Sequence, residues 1–365
     1  MGTLERIGGK KRTFRLRRVD CAVPGITRRR RGRGFEYLDL EGNRIDDPDV
    51  LQRIKDLVIP PAWKHVWICP EPMGHLQAVG VDAAGRKQYL YHQRWRERRD
   101  QEKFDRMIDF ARVLPEVRRV TDRHLVLGGM PRERALACSV RLLDHGFFRV
   151  GGESYAESND SYGLATILKE HVRLEGREVV FEYVAKGGQE RLHSVVDPAV
   201  FKVVRALKKR RSGGPELLAY KANGRWHDVR SADINLYLKD ISGDEHSAKS
   251  FRTWHATVLA ARALAVSTEA LTSKSARKRA ITRACTEVAH YLGNTPAVCR
   301  KSYVDPRVID RFESGVTIAP TLELLAREEH DEPSLQRTFE EAVLDLLEGN
   351  TSSDSIERLR LKKVS

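Results

Sequence analysis

Short runs in which apolar and polar residues alternate dominate the chain up to about residue 93: Phe35 to Leu40, His65 to Cys69, His75 to Asp82 and Gln88 to Tyr91. Glycine, proline and aspartate separate them, so the pattern predicts β-strands, with Asp82-Ala-Ala-Gly-Arg86 as a hairpin loop. At Trp95 the period lengthens. Trp95, Arg99, Lys103 and Met107 fall on one face of a helix that runs to Phe110, which places a domain boundary near residue 94. Helical spacing then prevails over Arg132 to Gly146, Tyr162 to Glu170, Pro198 to Arg211, Ser231 to Lys239, Trp254 to Ala265 and Lys278 to Leu292. Glu178 to Val184 alternates like a strand and ends at Lys186-Gly-Gly, with Leu192-His-Ser-Val-Val as its hairpin partner. Leu335, Phe339, Val343 and Leu346 predict one more core-packing helix before a polar tail that starts at Asn350.

The expected organisation is a basic segment over 1–34, a β-rich unit over 35–94, a mainly helical unit over 95–330, and a terminal helix with its tail over 331–365. The fold class is α+β: a small, mainly antiparallel β unit, then a larger, mostly α-helical unit that contains a β-hairpin. A chain of 365 residues, 41% of them hydrophobic, is long enough for two domains and a sizeable core.

Charge narrows the class of partner. With 65 Lys+Arg against 51 Asp+Glu the formal charge is +14, a field that attracts polyanions. On charge alone DNA, RNA and anionic membrane all qualify. No apolar run approaches the ~18 residues of a membrane span, and the charged start leads into no apolar segment, so the expected location is cytoplasmic. Arg28-Arg-Arg-Arg-Gly-Arg-Gly34 reads as a solvated basic loop that adds to phosphate attraction. Five scattered cysteines without a C-x-x-C pair read as reduced thiols and not as a zinc site.

The candidate chemistry centres on Leu292-Gly-Asn-Thr-Pro-Ala-Val-Cys-Arg-Lys-Ser-Tyr303-Val-Asp-Pro. Three basic segments precede it: Phe147-Phe-Arg149-Val-Gly-Gly-Glu-Ser-Tyr155, Val184-Ala-Lys186-Gly-Gly, and Lys249-Ser-Phe-Arg252-Thr-Trp. Each has a plain reading by itself. Arg149 can pair with Glu153, Lys186 can be a solvated turn residue, Arg252 can be a surface charge at a helix start, and Tyr303 can be structural. Together they suit attack of a tyrosine on a phosphodiester. That reaction builds negative charge on the non-bridging oxygens, which bidentate guanidinium groups match, and on the leaving oxygen, which needs a proton donor. The sequence holds no P-loop and no carboxylate cluster of the two-metal kind.

In this order, over roughly residues 35 to 310, these motifs resemble the type IB DNA topoisomerases, in the small form shared by poxviruses and bacteria. The resemblance implies that Arg149 and Arg252 stabilise the transition state, that Lys186 is the general acid to the 5′ oxygen, and that Tyr303 forms a 3′-phosphotyrosine link. Many of these enzymes have a histidine nine residues before the nucleophile. This chain has Asn294 there, whose amide can donate a hydrogen bond but cannot titrate near neutrality. His255 and His290 are the other donors nearby in sequence.

By the same resemblance Gln88, Tyr89 and Tyr91 contact DNA, and Tyr155 and Lys249 touch it near the cleaved strand. Strand alternation puts Tyr89 and Tyr91 on one side, as it would for a core-packing strand too. The implied protein is a monomeric clamp around double-stranded DNA, associated with the nucleoid, that uses no cofactor, neither ATP nor metal. A tyrosine recombinase, with Leu335 to Leu347 as an exchanged helix, and a non-catalytic basic DNA-packaging protein are the alternatives.

Overall fold

The computed structural model describes residues 15–243, 246–267, 273–326, 332–350 and 352–359; the side chains of residues 154, 155, 157, 332 and 333 lie outside the described set. Tyr155 is therefore placed only as a backbone position, and the basic stretch before residue 15 falls outside as well. The chain divides into two compact units, Met1–Lys103 and Phe104–Ser365. The division falls inside a single helix, Gln93–Leu125.

The first unit is an antiparallel sheet of β1 (Ile26–Arg31), β2 (Gly34–Leu38), β3 (Lys64–Ile68), β4 (Leu76–Val81) and β5 (Lys87–Tyr91), in the order β2-β1-β3-β4-β5. One helix, α1 (Pro48–Asp56), starts from an Asp47 cap whose carboxylate accepts from the amides of Asp49 and Val50, with Pro48 preset for the first turn. It lays Ile54 into a small core with Ile26, Val66, Ile68 and Ala78.

The arginine run is not a loop: Arg28 to Arg31 lie in β1, paired in register with β2. The run holds as a strand because its side chains find partners. The Arg28 guanidinium donates to the carbonyls of Pro60 and Trp63 at 3.1 and 2.7 Å and sits 4.1 Å from the centre of the Phe35 ring. Arg29 pairs with Glu36 across the strands at 2.6 Å. The turn into β2 uses Gly32 at φ +57°.

The helix Gln93–Leu125 (α2), which leads into the second unit, runs well past Phe110, through Pro115, because its apolar stripe continues through Leu114, Val117 and Leu125. Next come α3 (Arg132–Gly146), α4 (Glu153–Asn159) and a three-stranded antiparallel sheet of β6 (Val172–Glu175), β7 (Glu178–Ala185) and β8 (Gln189–Val195). The helix expected from Tyr162 to Glu170 is absent. That stretch forms two short 3₁₀ turns, Leu164–Thr166 and Lys169–His171. The reason is long-range pairing: the amides of Tyr162, Leu164 and Ala165 donate to the carbonyls of Val184, Arg149 and Val150.

The remainder is α5 (Pro198–Lys208), the hairpin β9 (Ala219–Ala222) and β10 (Arg225–Asp228), α6 (Ser231–Ser242), α7 (Ala248–Ala265), α8 (Lys274–Leu292), α9 (Pro296–Ser302), α10 (Pro306–Glu313), β11 (Val316–Thr317), α11 (Ala319–Leu325), α12 (Glu332–Glu348) and β12 (Glu357–Arg358). Helix α7 is the axis of this unit, buried nearly all round with Phe251 and Trp254 at 0% exposure. Helix α12 packs Phe339, Ala342, Val343, Leu346 and Leu347 into the core of its own chain. Arg118 bridges Asp144 on α3 and Glu340 on α12, with contacts of 2.7 to 2.9 Å. Against burial, which favours its neutral form, Arg118 with His255 holds the Asp144 carboxyl well below the usual carboxylate range.

Candidate active site

The site is built around the carboxyl-terminal end of α8. Gly293 adopts the left-handed conformation at φ +60° that ends the helix, and the amide of Asn294 reaches back to the carbonyl of Ala289 at 3.1 Å. Thr295 then caps the start of α9, with Pro296 in its first turn. Leu292-Gly-Asn-Thr-Pro is thus a helix stop followed at once by a helix start, and Asn294 is held between the two.

Four successive carbonyls at this end, His290 to Gly293, each accept a hydrogen bond from an arginine. Arg191 on β8 donates to His290 at 3.0 Å and also to Tyr291. Arg252 on α7 donates to Leu292 at 2.8 Å, and Arg149 donates to Gly293 at 2.8 Å. The negative end of the helix dipole favours three guanidinium groups there.

Arg149 is positioned by its own neighbours in sequence. Phe147 ends α3 in a left-handed conformation, φ +54°, and its carbonyl accepts from Arg252. Two residues after Arg149, Gly151 at φ +83° lies so close to Gly163 that a Cβ on the latter would meet the Gly151 Cα at 2.5 Å. The Val-Gly-Gly of the motif therefore includes a backbone-on-backbone contact that fixes the segment leading out of Arg149. Glu153 does not pair with Arg149; its carboxylate accepts from the amide and hydroxyl of Ser231.

Arg252 is 4% exposed, so it is no surface charge. Burial pulls its guanidinium down to about 10, opposed by the adjacent Tyr303, and it remains charged at neutral pH. Its guanidinium carbon lies 5.4 Å from the centre of the Tyr303 ring. Tyr303 ends α9, and the hydroxyl of Thr257 on α7 lies 3.2 Å from both its carbonyl and the amide of Asp305. Asp305, fully buried, caps α10 and pairs with Arg307 at 2.8 Å. One helix, α7, thus carries Arg252 and anchors the backbone of Tyr303.

Asn294 joins the two arginine-bearing elements. Its Oδ1 accepts from Arg149 at 2.8 Å, and its buried Nδ2 has no hydrogen-bond partner among the described residues. A buried amide donor left unpaired is costly, and here it lies beside a guanidinium, as an anion site would require.

Among the sequence-predicted residues, Arg149, Arg252, Asn294 and Tyr303 come together in this frame. Lys186 occupies the exposed turn of the β7–β8 hairpin, followed by Gly187 and Gly188 at φ +85° and +72°. Lys249 is exposed in the first turn of α7. In the first unit Gln88 donates to Asp82 at 2.9 Å, while Tyr89 and Tyr91 stack with ring centres 6.2 Å apart and are 44% and 38% exposed. They are not core residues. His290 lies within α8, and His255 is buried with its Nε2 3.2 Å from the Asp144 carboxylate.

Sequence reasoning missed Arg191, Thr257 and the pair Tyr183 and His193. Burial raises the Tyr183 hydroxyl to about 12 and lowers His193 to about 4, so both are neutral at pH 7 beside the arginines. Arg191 carries no motif; the one available signal was its place on the second strand of the lysine hairpin.

Comparison with known proteins identifies the family. Residues 92–319 match the family model of the eukaryotic DNA topoisomerase I catalytic core, and residues 34–82 match that of the bacterial DNA topoisomerase IB N-terminal domain. DNA topoisomerase 1B of Acanthamoeba polyphaga mimivirus is 29% identical over 300 residues, covering 80% of this chain and 89% of its own. DNA topoisomerase 1B of vaccinia virus (strain Copenhagen) is 22% identical over 278 residues, 73% of this chain and 82% of its own. DNA topoisomerase 1 of Schizosaccharomyces pombe is 30% identical over 134 residues, 36% of this chain and 16% of its own. With a family match over more than half its length, the chain belongs to the type IB DNA topoisomerases.

Proposed function

We propose that this type IB topoisomerase relaxes supercoiled duplex DNA with Tyr303 as nucleophile, Arg149 and Arg252 as transition-state stabilisers, Asn294 as a neutral donor to a non-bridging oxygen, and Lys186 as general acid. The Tyr303 phenol loses its proton to water as its oxygen bonds to phosphorus. The bond from phosphorus to the 5′ oxygen breaks, and Lys186 protonates that oxygen. The 3′-phosphotyrosine link keeps the bond energy, so the freed 5′ hydroxyl religates the strand by the reverse step after it has swivelled. As read, the cycle uses neither ATP nor a metal ion.

What carries the reading is that Arg252 lies against the Tyr303 ring while Arg149 fixes Asn294 with its Nδ2 unpaired. The donors are held by carbonyls before any substrate arrives, the condition for electrostatic stabilisation without reorganisation. Gln88, Tyr89, Tyr91, Tyr155 and Lys249 are read as duplex contacts, in a monomer that acts in the cytoplasm on nucleoid DNA. The recombinase alternative is not favoured: the relatives named above are topoisomerases, and α12 packs on the core of its own chain.

The test is incubation of supercoiled plasmid with the purified protein in EDTA without ATP. A ladder of relaxed topoisomers is expected, and no relaxation would overturn the reading.

A further inference from the structure

Two features of the β7–β8 hairpin meet at the end of α8. Arg191 spans the carbonyls of His290 and Tyr291, and Gln189 approaches the turn beyond them: a Cβ on Gly293 would meet the Gln189 Oε1 at 2.9 Å and the Arg191 Nη1 at 3.0 Å. The strand that starts three residues after Lys186 is therefore seated on the turn that holds Asn294. The positive φ at 293 favours glycine, and the ends of the Gln189 and Arg191 side chains lie against it. In register, Arg191 lies opposite Tyr183 and Gln189 opposite Ala185, so the seated portion reaches the last pair before the turn.

We propose that Arg191 is a positioning residue that docks the Lys186 hairpin onto the carboxyl-terminal end of α8, and so sets where the lysine delivers its proton. The proposal rests on the reading of Lys186 as general acid. A bidentate guanidinium suits the task, because two parallel donors to successive carbonyls fix orientation as well as distance. Burial and the nearby Arg149 lower Arg191 from its usual value, a cost the two carbonyl contacts offset. Arg191 is partly exposed, so its loss should loosen the hairpin without unfolding the unit.

The test is single-turnover cleavage of a short duplex carrying a site mapped on plasmid, made with either oxygen or sulfur at the 5′ bridging position of the scissile phosphate. A thiolate leaves without a proton, since a thiol ionises near pH ~8.5, so the sulfur duplex needs no general acid. On the oxygen duplex Lys186→Ala should be slow and Arg191→Ala slower than the unaltered protein by roughly 10-fold or more, with Arg191→Lys between. On the sulfur duplex both alanine variants should return to within about 3-fold of the unaltered protein, as expected when only proton delivery was lost. If Lys186→Ala stays slow on sulfur, the general-acid reading fails and the inference with it. If Lys186→Ala recovers but Arg191→Ala is equally slow on both duplexes, or is unimpaired on oxygen, the docking role of Arg191 alone is overturned.

Discussion

The two units hold their cationic and aromatic residues in opposite ways. On β5 Tyr89 and Tyr91 stand 44% and 38% exposed, and their sheet closes over a core of five buried apolar residues. Around α8, Arg252 is 4% exposed, and the arginines of the site already donate to fixed carbonyls. A surface that grips a polyanion can leave its side chains in water, because phosphate contacts position and need little geometry in advance. A site that stabilises a transition state gains most from donors fixed before the reaction. Substitutions on β5 should therefore change affinity, and substitutions around α8 should change rate.

Tyr303→Phe breaks that comparison most severely if it is wrong. It removes a single oxygen and leaves the anchored backbone of Tyr303 untouched, so relaxation should vanish while duplex affinity stays nearly normal. Labelled DNA should no longer become covalently attached, and an adduct at another tyrosine would move the nucleophile elsewhere.

Next in size is Arg252→Ala, for which single-turnover cleavage should fall by ~10²-fold or more, as for loss of one preorganised oxyanion donor. Arg149→Ala should behave alike. Lysine at either position should restore only part, since an ammonium cannot hold a carbonyl and a phosphate oxygen in one planar fork. Unchanged duplex affinity with a collapsed rate would place both residues on the chemical side of the divide.

Asn294 sharpens the comparison from within the site. Its amide is a neutral donor, so Asn294→Ala should slow cleavage by about 10-fold, less than loss of either arginine. Asn294→His should retain substantial activity and acquire a new pH dependence: the protonated imidazole is the stronger donor, so the rate should fall as pH rises through ~6.5. The measurement is a pH series on the three proteins. Identical rates for Asn294→Ala and the unaltered chain would leave Asn294 as a cap between α8 and α9.

Much of this was legible in the sequence where local pattern and final environment agree. Arg132–Gly146 has the predicted bounds, and the β5 and β7 strands follow from alternation. The end of α8 at Leu292 is also as expected, whereas the new helix that starts from the Thr295 cap was not read. What was hidden depends on partners distant along the chain. Arg28 to Arg31 form a strand because Pro60 and Trp63 offer carbonyls and Glu36 a carboxylate. Tyr162 to Glu170 is not a helix because its amides are taken by Val184, Arg149 and Val150. Arg191 and Thr257 act at sequence separations of about 100 and 46 residues, which no local motif encodes.

The smallest effect on chemistry is expected on β5. Tyr89 and Tyr91 stack on each other in solvent, and Lys87 lies 5.7 Å from the Tyr89 ring, so their removal should leave the fold of the sheet intact. Replacing both with alanine should weaken duplex binding several-fold, the order expected when two exposed contacts are lost from an interface dominated by phosphates. Cleavage at saturating protein should stay within about 2-fold of the unaltered rate, because neither side chain belongs to the preorganised donor set. Binding should also remain steeply salt-dependent in both proteins: ~6 phosphate contacts imply a ~10³-fold loss in affinity between 50 and 200 mM salt. Titrating duplex binding across that range, with single-turnover cleavage at saturation in parallel, separates the two quantities. A normal affinity for the double variant would remove β5 from the DNA surface. A collapsed cleavage rate at saturation would mean that β5 shapes the chemistry as well as the grip, and the contrast between the units would fall.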